Sequence, residues 1–145
     1  MNKREFIKRS VAGAVALGIT GKTSVTLAEN QKIPEVKKRK LGKTGFEVFP
    51  VIYGGIISRQ DGQDASNNYV AWAIDRGINY FDVAPSYGDA QEKLGISLQP
   101  YRKDKYLACK TTQRKRVDAE KEFEQSLKML YTDYFDVYQL HSLTT

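Results

Sequence analysis

Four short apolar runs punctuate this chain, and they constrain its fold more than any other feature. They are Val51-Ile52-Tyr53, Ile78 to Phe81, Lys105 to Cys109 and Phe135 to Leu140. Each has the length of a strand, and helical patterns fill the stretches between them. Asn68 to Arg76 carries Val70, Ala71, Ala73 and Ile74 at helical spacing and stops at Gly77. Glu92 to Leu98 reads as a short helix, and Ala119 to Leu130 as an amphipathic one with Phe123, Leu127 and Leu130 on one face. Strands that alternate with helices imply βαβ units, an α/β fold and a parallel sheet. Right-handed crossovers then place the strands side by side in chain order, with the helices outside. Ahead of these units, Arg39-Lys40-Leu41 and Phe46-Glu47-Val48 flank Gly42-Lys43-Thr44-Gly45, a hairpin pattern whose turn glycines can take positive φ.

Charge and cysteine content narrow the function. The net charge of +6 raises a nucleic-acid reading, but residues 1–28 hold five of the 23 bases and one of the 17 acids. The remainder carries 18 bases against 16 acids. Its two basic runs, Lys37-Lys38-Arg39-Lys40 and Arg114-Lys115-Arg116, lack interleaved aromatics and read as solvated surface, so no nucleic-acid partner is expected. With one cysteine, Cys109, and one histidine, His141, the chain can form no internal disulfide and has too few ligands for a dedicated zinc site. Cys109, in the apolar run Tyr106-Leu107-Ala108-Cys109, reads as a buried, inert thiol.

Residues 1–28 read as a signal peptide. Basic residues from Lys3 to Arg9 precede the apolar stretch Val11 to Ile19, which is too short to span a bilayer. Thr26-Leu27-Ala28 offers small residues at the −3 and −1 positions of a cut after Ala28. The start resembles the twin-arginine export motif, with Lys3-Arg4 in place of the Arg-Arg pair and Phe6-Ile7-Lys8 following. That resemblance implies export to the periplasm in folded form, with the twin-arginine translocase as a partner. The alternative is an uncleaved amphipathic N-terminal helix. Residues 29–37 read as a polar linker around Pro34, and residues 38–145 as the folded domain.

Each strand after the first runs into an ionisable residue: Phe81 into Asp82, Cys109 into Lys110, Leu140 into His141. Tyr87 follows Asp82 closely, in Ala84-Pro85-Ser86-Tyr87-Gly88. Parallel strands point the same way, so these side chains converge on the C-terminal rim, where barrel enzymes keep their active sites. Taken singly, each has a structural explanation, as a helix cap, a core ring or a buried imidazole. Together they form an acid–base set. A tyrosine hydroxyl has an unperturbed pKa of about 10. A neighbouring ammonium favours the phenolate and so strengthens the acid. A carboxylate keeps that ammonium charged and in place, and a neutral imidazole can donate a hydrogen bond to a carbonyl oxygen as charge builds there.

Three segments resemble the signatures of the aldo-keto reductase family. They are Leu41 to Gly45, Gly77 to Gly88, and Thr132 to His141, and the similarity runs from about Arg39 to the last residue. The resemblance implies a TIM (β/α)8 barrel, of which this chain holds the first four βα units. It implies reduction of an aldehyde or ketone by NADPH. Tyr87 would be the general acid, Lys110 its tuner, Asp82 the holder of Lys110 and a contact of the cofactor, and His141 the group that orients the substrate carbonyl. Most of the family's NADPH contacts lie on strands five to eight. Two places depart from the family pattern: Tyr131 stands where Gly or a polar residue is common, and Gly54-Gly55-Ile56-Ile57-Ser58 is shifted from the usual Gly-rich form. Competing readings are a non-catalytic or regulatory barrel subunit and an inactive fragment whose open strand edges make it self-associate.

Overall fold

A computed structural model of the chain describes residues 36–59 and 61–143. The signal-peptide reading and most of the linker lie outside these residues. The apolar runs form a four-stranded sheet in which β3 (Tyr53–Gly54), β4 (Tyr80–Asp82), β5 (Tyr106–Thr111) and β6 (Val137–Leu140) lie side by side in chain order. All three pairings are parallel. A separate antiparallel hairpin joins β1 (Arg39–Lys40) to β2 (Glu47–Val48). Three helices connect the parallel strands: α1 (Gln63–Asp75), α2 (Ala90–Leu98) and α3 (Arg116–Met129).

Alternation along the strands sorts the two faces of the sheet. Phe81, Leu107 and Cys109 point to the helices and pack with Val70, Leu94 and Leu130 in the main core. Tyr80, Ala108 and Val137 point the other way, into a smaller cluster. The hairpin closes this inner face at the N-terminal ends of the strands. There Phe46 stacks on Tyr106 with ring centroids 4.4 Å apart. Asn79 fastens the hairpin by donating to the Glu47 carbonyl at 2.9 Å and accepting the Phe49 amide at 2.8 Å.

The helices begin earlier than apolar periodicity indicates. α1 starts at Gln63 rather than Asn68, because its first turns face α2 through polar groups. Ser66 and Ser97 share a hydrogen bond of 2.9 Å, and Gln63 donates to Ser97 at 3.0 Å. α2 starts at Ala90 and α3 at Arg116, each slightly ahead of the sequence expectation. Two 3-10 segments, Gly55–Arg59 and Gln99–Asp104, lie between the elements that the sequence predicts. Gly55 explains part of the shifted segment after the first strand: a Cβ there would lie 2.7 Å from the Asp82 carbonyl oxygen, so only glycine permits this approach. Tyr131 sits just past α3 with φ of 51°, the left-handed conformation that glycine usually supplies after a helix.

Candidate active site

Period-two alternation that puts Tyr80 and Ala108 on the inner face also puts Asp82 and Lys110 there, at the C-terminal ends of β4 and β5. Their side chains form an ion pair between Lys110 Nζ and Asp82 Oδ2, with exposures of only 12% and 19%. The ammonium also donates to the Val83 carbonyl at 3.4 Å. A charge this sheltered from water needs such partners.

Tyr87 sits in the turn between β4 and α2, where Gly88 takes φ of 64° and turns the chain into the helix. Its ring lies beneath the Lys110 ammonium, which is 5.4 Å from the ring centroid. The His141 ring meets Tyr87 edge to face, with centroids 5.7 Å apart and planes at 86°. Strand β6 delivers His141 just past Leu140, and the His141 amide donates to the Thr111 carbonyl at 2.9 Å. The structure therefore brings all four sequence-selected residues together at one end of the sheet. Lys110 addresses the face of the Tyr87 ring, and the Tyr87 hydroxyl makes no hydrogen bond among the described residues.

Two residues of the site escape sequence reasoning. Ser86 places its hydroxyl 3.3 Å from His141 Nδ1. It lies inside a quoted motif, but nothing in its neighbours singles it out. Arg114, expected as solvated surface, keeps an exposed side chain yet donates to the backbone carbonyl of His141. Cys109, directly before Lys110, is buried as the sequence predicts, and burial pushes its thiol up from the ordinary range, so it stays protonated and unreactive.

The arrangement can supply a proton from a phenol beside a fixed cation and a hydrogen bond from an imidazole. Two cations of the site are engaged: Lys110 with Asp82, and Arg114 with the carbonyls of His141 and Ser142. This donor set fits the reacting end of a nicotinamide cofactor.

The family model described as "Aldo/keto reductase family" matches residues 52–145. An aldo-keto reductase of Bacillus subtilis, YhdN, is 33% identical over 120 residues, covering 73% of this chain and 35% of the relative. L-galactose dehydrogenase of Arabidopsis thaliana is 32% identical over 124 residues, covering 75% of this chain and 39% of the relative. Among solved structures, the holo form of an aldo-keto reductase from Bacillus halodurans superposes with a TM-score of 0.66 at 30% identity. That match covers 75% of this chain and 41% of the solved one. The chain thus spans well under half the length of these relatives.

Proposed function

This chain belongs to the aldo/keto reductase family, and we propose that it forms the acid–base half of an enzyme that reduces aldehydes or ketones to alcohols. The family uses nicotinamide cofactors. The observation that carries the reading is the sheltered Lys110–Asp82 pair set against the Tyr87 ring, with His141 against the same ring. In outline, one carbonyl becomes one alcohol, with a hydride arriving at carbon and a proton at oxygen.

Bound nicotinamide supplies the hydride when present, and Asp82 is the residue of this chain assigned to contact it. The other steps belong to the protein. His141 donates a hydrogen bond to the carbonyl oxygen and fixes its position. Tyr87 gives its hydroxyl proton to that oxygen as negative charge develops. The Lys110 ammonium stabilises the phenolate that results, and Asp82 holds the ammonium in place. NADPH is the cofactor we assign, by resemblance to the family.

The order of strands, with β3 and β6 at the edges, supports reading the sheet as four βα units of a (β/α)8 barrel. A chimera tests the whole reading: residues 38–143 replace the matching segment of the Bacillus subtilis reductase. It should consume NADPH when given an aldehyde, and the same assay with NADH tests the cofactor choice. A folded chimera that binds NADPH and reduces no carbonyl contradicts the assignment.

We also propose that residues 1–28 direct export by the twin-arginine route to the periplasm. The Lys3-Arg4 pair and the short apolar core support this. Residues 1–30 fused to a folded reporter should leave the cytoplasm only when that translocase is present. Export that continues in its absence rejects the proposal.

A further inference from the structure

Lys110 and His141 sit on neighbouring strands, and the loop between β5 and α3 ties their ends together. Thr111 ends β5 directly after Lys110. Its carbonyl accepts the His141 amide at 2.9 Å, and its hydroxyl donates to the Glu122 carboxylate at 2.7 Å. The Thr112 amide and hydroxyl donate to the same carboxylate at 2.7 and 2.8 Å. Glu122 belongs to α3, so the helix grips the loop through two consecutive residues. Partial burial pushes the Glu122 carboxyl upward, but these hydrogen bonds together outweigh it and hold the group below its ordinary 4.5.

The same loop carries Arg114. Its Nη1 donates to the carbonyls of Thr112 and Gln113 at 3.0 and 3.2 Å, which folds the side chain onto its own loop. Its Nη2 reaches across to the carbonyl of His141 and, at 3.2 Å, to that of Ser142. Ser142 has φ of 53°, which is uncommon outside glycine, so this stretch depends on outside contacts to keep its course. Only a forked guanidinium can hold two carbonyls on each side at once; a lysine has one donor atom to offer. His141 is therefore held at its N–H by Thr111 and at its C=O by Arg114.

We propose that Arg114 and Glu122 are positioning residues of the active site: Glu122 fixes residues 111–114 on α3, and Arg114 carries that fixed position to the backbone of His141. The inference rests on the reductase reading for the role of His141, and its test reads the imidazole itself without requiring turnover. His141 is the only histidine in the chain, so its ring gives one set of signals. In the full chain labelled at histidine, magic-angle-spinning NMR observes that ring whatever the size of the assembly.

The wild type should give one narrow set of imidazole signals. Arg114→Ala should shift and split them, and Arg114→Lys, which keeps the charge but loses the fork, should not restore them. Glu122→Ala should shift the same signals although Glu122 makes no hydrogen bond to His141. Glu122→Gln, milder because it keeps the volume and one acceptor oxygen, should fall between. The double variant should go no further than the larger single change, because the two residues act in series. Arg116→Ala removes a charge from the same helix, paired with Glu120 at 2.7 Å, and should leave the ring signals unchanged. Wild-type signals in Arg114→Ala, additive effects, or an equal shift in Arg116→Ala overturn the proposal. Turnover lost from the chimera on Arg114→Ala, with the ring undisturbed in the full chain, also overturns it, while leaving the reductase reading intact.

Discussion

His141 has two ring nitrogens, and the structure commits one of them. Ser86 Oγ stands 3.3 Å from Nδ1. If the imidazole is to donate to a substrate oxygen, the proton belongs on Nε2, and Nδ1 must accept from the Ser86 hydroxyl. The Ser86 hydroxyl can serve that tautomer as a donor, although Ser86 resembles nothing catalytic in the sequence. Nitrogen-15 spectra of the single histidine should show Nε2 protonated and Nδ1 bare, and Ser86→Ala should raise the opposite tautomer. A protonated Nδ1 in the wild type would reverse the assigned roles. At this scale the four charged or phenolic groups were legible because strand ends converge. Ser86, Arg114 and Glu122 were not, because they act through partners 55, 27 and 10 or 11 residues away.

Among the elements, β5 and β6 are joined at both ends. Opposite the site, Arg102 pairs with Asp136 at 3.1 Å, with exposures of 10% and 16%. Arg102 also donates to the carbonyls of Lys105 and Tyr134, each at 2.8 Å, and lies over the Tyr134 ring at 3.9 Å. Asp136 in turn accepts the Leu107 amide at 2.8 Å. Arg102→Ala leaves that carboxylate sheltered and without its cation, at a cost of about 3–5 kcal/mol. Denaturant unfolding of the chimera checks this, and a loss below about 1 kcal/mol, as for a surface pair, would refute the staple. At the site end the clasp is Glu122. Its folded carboxyl lies below 4.5, so its contribution is full above the unfolded value and fades as pH falls through the lower folded one. The stability gap between wild type and Glu122→Gln should therefore be present at neutral pH and close in acid. A gap that persists unchanged in acid would contradict the clasp. Strands and helices were readable from period alone. The first turns of α1 were not, because Gln63 and Ser66 face α2 through hydrogen bonds rather than apolar contact.

Among the described residues, the parallel sheet ends in two edge strands, β3 and β6. Near β3, a groove of about 630 Å³ is lined by Val51, Ile52, Ile57, Tyr69 and Trp72. Beside β6, Leu140 and Leu143 are 54% and 66% exposed. Exposed apolar edges pair with other chains. Residues 29–145 expressed alone should therefore associate or precipitate, and should not reduce carbonyls with NADPH. Analytical ultracentrifugation that finds a soluble monomer, together with measurable reduction, would contradict this. The parallel order of the strands was legible in the sequence because βαβ units leave few arrangements. What meets the two edges was not, because that depends on surfaces beyond this sheet.

The central claim is that Tyr87, tuned by Lys110 and served by Asp82 and His141, delivers the proton. Tyr87→Phe removes the hydroxyl and keeps the ring that Lys110 and His141 pack against. In the chimera with the Bacillus subtilis reductase, kcat for an aldehyde should fall by roughly 10²-fold or more, the range expected for losing a general acid. NADPH affinity should change little. Turnover near that of the unsubstituted chimera would show that the proton comes from elsewhere.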